Sequence, residues 1–213
     1  MSWNKYNLYN LAQRTRYPDH GRKTIFQQLW YAKRETRAYH GASLSEKRWR
    51  KLFKSVLPAA DTATATQKPG DHPHAAALMY GDLERRLEIF LHRALFADSV
   101  ESARQMIRHG KVRVDDKTLR YPSYLLEPGQ LVSVDPHAIA MLRGKEGTEL
   151  SYHPKPYSQP FHFLPDYIEV NYRTCEAILL REPISRPGRV EVPSPIPPEV
   201  HGLAHEYYVR KWR

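Results

Sequence analysis

The spacing of apolar positions changes several times along the chain, and each change predicts a different element. From Thr24 to Tyr39, Ile25, Leu29, Ala32 and Tyr39 fall at i, i+4, i+7 and i+14, the spacing of one helical face, while Lys33, Arg34 and Arg37 occupy other faces. Gly41 is the expected stop. Ser43 followed three residues later by Glu46 reads as a capping box, in which a hydroxyl and a carboxylate satisfy free amides at the start of a helix. The helix it opens repeats Trp49, Leu52, Phe53 and Val56 at i, i+3, i+4 and i+7, with Lys47, Arg48, Arg50, Lys51 and Lys54 on its other face. Together they predict a helical hairpin, apolar on one side and basic elsewhere, that needs something to pack on.

Residues 57–77 are Ala/Thr-rich, hold Pro58, Pro69 and Pro73, and follow neither period, so 57–81 is read as a linker or insertion. From Asp82 to Leu95 the helical period returns through Leu83, Leu87, Phe90, Leu91 and Leu95, with Asp82 as the expected cap. Asp98 with Glu101 predicts a second capping box; Val100, Ala103 and Ile107 form that helix's apolar face, and Gly110 its left-handed end. The period then drops to two. Val112 and Val114 alternate with Lys111 and Arg113, Asp115-Asp116 suits a tight turn, Glu127-Pro128-Gly129-Gln130 suits a type II turn, and Leu131 to Val134 is the returning strand. After Asp135 the pattern weakens: 167–170, 177–180 and 207–209 read as strands, and the proline-rich stretch between the last two reads as extended. The fold class is α+β, with four divisions: 1–56, a basic N-terminal arm and helical hairpin; 57–81, the linker; 82–136, a helix, helix and antiparallel-sheet module; and 137–213, C-terminal segments packing back on a helical N-terminal lobe.

Composition sharpens this picture at one point. The 213 residues carry 33 Lys+Arg against 23 Asp+Glu, a net charge of +10, and the excess is segregated. Residues 1–54 hold 13 basic and 3 acidic side chains, whereas 55–213 hold 20 of each. A concentrated positive region suits a polyanionic partner. No run approaches the ~18 apolar residues of a membrane span. The one cysteine, Cys175, excludes an internal disulfide framework and a thiolate-rich metal site.

Three groups of side chains are candidate RNA contacts. In the first 23 residues, Lys5, Arg14, Arg16, Arg22 and Lys23 are mixed with Trp3, Tyr6, Tyr9 and Tyr17 and show no core pattern. This segment superficially resembles an organellar transit peptide but lacks its Ser-rich amphipathic pattern, and reads rather as an arm that orders on RNA. The hairpin supplies Lys33, Arg34, Arg37, Lys47, Arg48, Arg50 and Lys51. Within the module, Arg104, Arg108, Lys111, Arg113, Lys117 and Arg120 crowd 17 residues against only Asp115 and Asp116. Arg104 and Arg108 stand at i, i+4, where two cations repel, so the pairing suggests an external anion whose geometry the guanidinium fork matches. The competing reading is a solvated face with Glu101 neutralising Arg104.

The stretch SVESARQMIRHGKVRVDDKTLRYPSYLLEPGQLVSV resembles the RNA-binding module of small-subunit ribosomal protein four. The resemblance is carried by Ser99, Ala103, Arg104, Met106, Ile107, Gly110, Val112, Val114, Pro122-Ser123-Tyr124 and Pro128-Gly129. It adds Ser99 to the candidate contacts. Asp115-Asp116 departs from the family's usual Asn-Gly, which puts the turn type in question. The flanks LERRLEIFLHRALF and KTIFQQLWYAKRETRAYHGASLSEKRWRKLF resemble the same family, as do LPDYIEVNYRTCEAILLREP and HEYYVRKW, the last as a closing aromatic strand. WNKYNLYNL and AKRETRAYHG are most similar to its fungal mitochondrial form.

The resemblance implies two lobes, one helical and one carrying the module, bound where helices of small-subunit rRNA meet. It also implies early binding during assembly, a place near the mRNA path and the decoding region, contact with small-subunit protein five, and residence in the mitochondrial matrix. Many bacterial members carry a cysteine-rich zinc knot near the N-terminus; residues 1–30 here contain no Cys, so no metal and no cofactor are expected.

Other functions fit less well. His72 and His74, and His201 and His205, have ligand-like spacing but no evident third ligand. Cys175 lacks an argued base, and a GxxxxGK[ST] phosphate loop is absent. An RNA-modifying enzyme using this module needs a further catalytic domain, which the proline-rich remainder is too short to supply. A free RNA chaperone or stalled-ribosome binder is the main alternative, and no small-molecule substrate is expected.

Overall fold

The computed structural model describes residues 4, 6–14, 21–54, 75–143, 151–153, 155–158, 164–186 and 189–211. Among them the helices are α1 (Asn7–Ala12), α2 (Ile25–His40), α3 (Glu46–Arg50), α4 (Gly81–Glu84), α5 (Leu87–Arg93), α6 (Val100–Arg108) and α7 (Pro198–Lys211), with 3-10 helices at Ala75–Tyr80 and Pro136–Ala138. The strands are β1 (Val112–Val114), β2 (Lys117–Thr118), β3 (Leu131–Val134), β4 (Leu142–Arg143), β5 (Ser151–Tyr152), β6 (Ile168–Asn171), β7 (Glu176–Leu179), β8 (Ser185–Arg186) and β9 (Arg189–Val190). The chain is α+β, as the periodicity predicts. It forms two compact units, Met1–Gly81 with Pro183–Arg213, and Asp82–Glu182.

In the first unit, α2 begins with a capping box at Thr24 and Gln27. The Thr24 hydroxyl accepts from the Gln27 amide, and the Gln27 side chain accepts from the Thr24 amide, both at 3.4 Å. Leu29, Ala32 and Tyr39 are buried as their stripe requires, but Ile25 is 66% exposed because the buried face starts one turn later. The stripe packs on α7.

That helix corrects the expected strand at 207–209. His201, Ala204, Tyr207 and Tyr208 are buried at i, i+3, i+6 and i+7, a helical spacing that a three-residue window conceals. The linker is also corrected at its end. Ala75–Tyr80 is a 3-10 helix whose Tyr80 is fully buried, stacking on His40 at 4.3 Å and on Trp49 at 5.6 Å between ring centres. Gly41 lies against Trp49 so closely that a Cβ there would stand 2.7 Å from the indole.

The expected Ser43 capping box does not form. Ser45 is the cap residue, without a side-chain bond, and Glu46 turns back to Arg37 at 2.7 Å and the Tyr208 hydroxyl at 3.1 Å. A carboxylate shared with a guanidinium gains more there than from one helix amide.

In the second unit, the continuous helix expected over 82–95 is broken at Arg85 and Arg86. Arg86 is extended and bridges to Leu125, and the Leu87 and Glu88 amides donate to the Tyr124 and Pro122 carbonyls at 2.9 and 3.2 Å. The returning loop thus satisfies the amides that α5 leaves free, replacing Asp82 as the cap. The cap of α6 is likewise Ser99, whose hydroxyl accepts from the Ser102 amide at 3.2 Å. Asp98 instead accepts from Lys155 at 2.9 Å and Tyr157 at 3.2 Å. Burial opposes charge on Asp98, but these bonds and the Lys155 charge outweigh it and hold the carboxyl below its usual range.

The sheet runs β2-β1-β3-β7-β6, each neighbouring pair antiparallel. Val112, Val114, Val132, Val134, Ala177, Leu179 and Ile168 are buried with Leu87, Phe90, Leu91, Ala103 and Ile107 in one core. Residues 168–179, expected to pack on the helical lobe, instead extend the module's sheet through β3 and β7. Two strands from the far end of this unit therefore widen the small sheet and its apolar face, which packs with α5 and α6 in the same core.

Candidate RNA-binding surface

The surface of the module is built from the end of α6 and the β1–β2 hairpin. Gly110 takes a left-handed φ of 72°, which a side chain disfavours, and turns the chain from helix into strand. In β1, Val112 and Val114 are fully or almost fully buried, so strand alternation places Arg113 on the opposite, exposed face. Its cross-strand partners are Thr118 and Ser133, both small and polar. Thr118 and the Arg120 guanidinium flank Gly110, within 3.4 and 3.6 Å of where its Cβ would stand. Arg120 therefore lies beside this turn, and Arg108, His109 and Arg113, all exposed, flank it along the chain. Lys117 is exposed too, but it pairs with Val114 and lies on the other face of the edge strand.

The hairpin that presents Arg113 is held by its aspartates. Asp115 and Asp116 both adopt positive φ, 48° and 63°, the type I′ conformation that matches strand twist. The Asp115 carboxylate accepts from the Leu131 amide at 3.0 Å and the Gln130 side chain at 3.1 Å, stabilising a turn in which glycine is otherwise favoured.

Two of the expected contacts have partners within the module. Arg104 does not wait for an external anion: its guanidinium pairs with Glu88, which is 1% exposed and also holds Arg86 at 2.8 Å. The Glu88 hydrogen bond raises the Arg104 pKa further, against burial. The neutralising carboxylate is 16 residues away on α5, outside the i, i+4 window in which Glu101 is the local candidate. Ser99 is committed to its helix cap. Lys111 bonds Asp135 at 2.9 Å, an exposed pair in which the Lys111 bond and the His137 amide lower the Asp135 pKa.

In the N-terminal unit, Lys47, Arg48, Arg50 and Lys51 are exposed around buried Trp49. Arg37 is structural: it donates to the Gly41 and Leu44 carbonyls at 3.3 and 2.9 Å as well as to Glu46. Lys33 stands 3.6 Å from Glu46 and over the Trp30 and Tyr207 rings. Arg14 pairs with Glu35 at 2.6 Å, Arg34 with the same carboxylate at 3.7 Å, and Lys23 sits over Tyr31. Arg22 is exposed. Lys5 and Arg16 lie outside the described residues, as do His72 and His74. Of the other histidine pair, His201 contacts Ser194 and His205 bonds the Lys54 carbonyl, so their nitrogens serve different partners.

Comparison with known proteins bears on what this surface belongs to. The sequence pattern of the S4 domain matches residues 85–132, the stretch that contains α5, α6 and the arginine-bearing hairpin. Small ribosomal subunit protein uS4m of Schizosaccharomyces pombe is 34% identical, over 98% of this chain and 77% of its own length. The chain belongs to the uS4 family. Bacterial members are similar as well: uS4 of Dinoroseobacter shibae is 30% identical and uS4 of Cereibacter sphaeroides 31%, each over 84% of this chain and 74% of the relative. The mitochondrial member thus aligns with nearly the whole chain, in agreement with the resemblance read from WNKYNLYNL and AKRETRAYHG.

Phe26 and Trp30 escape a reading based on basic clusters and apolar stripes. They fall off the α2 stripe and remain 68% and 43% exposed.

Proposed function

We propose that this chain is a structural component of a mitochondrial small ribosomal subunit, where it binds small-subunit rRNA. The reading rests above all on its uS4 membership along nearly the whole chain, including the mitochondrial relative. The exposed Arg108 at the end of α6, Arg113 on β1 and Arg120 after β2 suit phosphate, whose geometry a guanidinium fork matches. Lys47, Arg48, Arg50 and Lys51 form the second proposed phosphate surface. Lys111 joins the first by exchanging its exposed aspartate for phosphate, since such pairs contribute only about 0 to 1 kcal/mol.

In this role the chain performs no catalysis; it holds RNA segments in place. Its proposed setting is the mitochondrial matrix, with early binding during subunit assembly, a position by the mRNA path and decoding region, and protein five as a neighbour. Crosslinking of the intact particle tests the RNA contacts. Residues 108–120 and 47–51 are expected to crosslink to small-subunit rRNA; crosslinks from both regions exclusively to protein would contradict the assignment.

A further inference from the structure

The aromatic side chains left exposed on α2 lie among cations. Phe26 and Trp30, one turn apart, hold their rings nearly parallel, 24° between planes and 6.4 Å between centres. Trp30 is braced edge-on by Tyr207 at 6.1 Å. Beside them, Tyr31 carries the Lys23 ammonium 3.8 Å from its centre and the Arg34 guanidinium at 4.9 Å, while Lys33 lies 5.0 Å from the Trp30 ring. Lys23, Phe26, Trp30, Tyr31 and Arg34 line one open cleft of about 420 Å³.

We propose that this face of α2 is a stacking platform for unpaired RNA bases, distinct from the phosphate-binding hairpin of the module. It deepens the rRNA reading and rests on it. Charge complementarity selects the occupant. Lys23, Lys33 and Arg34 flank the rings, and the acid in this stretch of α2, Glu35, is 8% exposed and already paired with Arg14 and Arg34. Each acid is shared by two cations, Glu35 by Arg14 and Arg34 and Glu46 by Arg37 and Lys33, so an apolar protein segment would cover a net positive rim in a low-dielectric contact, whereas single-stranded RNA brings a phosphate for each base it stacks. A duplex hides its base faces and does not gain from the rings. The platform therefore recognises unpaired, splayed-out nucleotides and is tolerant of sequence.

The test compares binding of the full-length chain to a single-stranded oligoribonucleotide and to a duplex of the same length. Phe26→Ala and Trp30→Ala are each expected to weaken single-strand binding roughly tenfold, with duplex binding changed less than about twofold. Trp30→Phe, which keeps a ring, is expected to retain most of the affinity, and the circular dichroism of all variants is expected to match that of the unaltered chain. Equal affinity of the double alanine variant for the single strand would overturn the platform. So would equal losses on single strand and duplex, or a double variant that binds RNA normally but fails to enter small subunits, which would mark a protein-docking face. If the unaltered chain bound small-subunit rRNA not at all, the broader rRNA reading would fall first.

Discussion

At the scale of single residues, the module separates arginines that hold the fold from arginines that face outward. Glu88 is buried and paired with the partly exposed Arg86 and Arg104, and removing the carboxylate leaves their charges uncompensated. Glu88→Gln is therefore expected to lower unfolding free energy by about 3 to 5 kcal/mol in urea titrations. Arg113→Ala, on the exposed face, is expected to change stability by less than about 0.5 kcal/mol. Yet it should reduce the slope of log affinity against log salt by roughly 0.7 to 0.9, one phosphate contact. A stability loss without a slope change at Arg113 would place that residue in the fold instead.

His92 supplies a pH signature. It is buried, and burial, reinforced by the neighbouring Arg93 charge, lowers its pKa from 6.5 to about 4. Between those values the unfolded chain binds a proton that the folded chain excludes, so stability falls as pH drops and is unaffected by this group above the window. The full loss is about 3 kcal/mol. Comparing chemical denaturation at pH 7 and pH 4 is expected to show that much less acid sensitivity in His92→Gln than in the unaltered chain.

At the scale of elements, the β1–β2 turn shows how two aspartates are accommodated at positive φ, where glycine is favoured. Asp116 bears a left-handed conformation without the amide bond that Asp115 makes. Asp116→Gly is expected to raise stability by a few tenths to 1 kcal/mol, measured as an increase in Tm. Asp115→Gly gains the same backbone freedom but loses two hydrogen bonds, so it is expected to be neutral or destabilising.

The elements also show what periodicity reveals. The α6 face, Gly110, Val112 and Val114, and the Pro128-Gly129 turn were legible because each rests on local geometry. The break at Arg85, the helix α7 and the packed Ala75–Tyr80 were not. The first depends on carbonyls of residues 122 and 124, and the other two on burial against Trp49, His40 and α2, which no short window contains. The basic cluster was legible as a cluster but not as individual contacts, because the fate of Arg104 is decided by a carboxylate on another helix.

At the scale of the whole molecule, the net charge of +10 is distributed between structure and surface. Several cations of the first 54 residues, among them Arg14, Arg37 and Lys33, are engaged by Glu35 and Glu46, so the outward field of that unit is carried by fewer side chains than the count suggests. The electrically neutral remainder still presents exposed Arg108, Arg113 and Arg120, in part because two of its carboxylates are buried against other arginines, Glu84 on Arg93 and Glu88 on Arg86 and Arg104. A sum over sequence predicts the class of partner, while the location of the partner follows from which carboxylates the fold buries.

The claim that this chain is a structural part of the small subunit is tested most directly by sedimenting a mitochondrial lysate through a salt-washed gradient and following the full-length protein. The protein is expected to travel with small-subunit rRNA and to leave it when Arg108, Arg113 and Arg120 are together replaced by alanine. A chain found only in slowly sedimenting, ribosome-free fractions would contradict it.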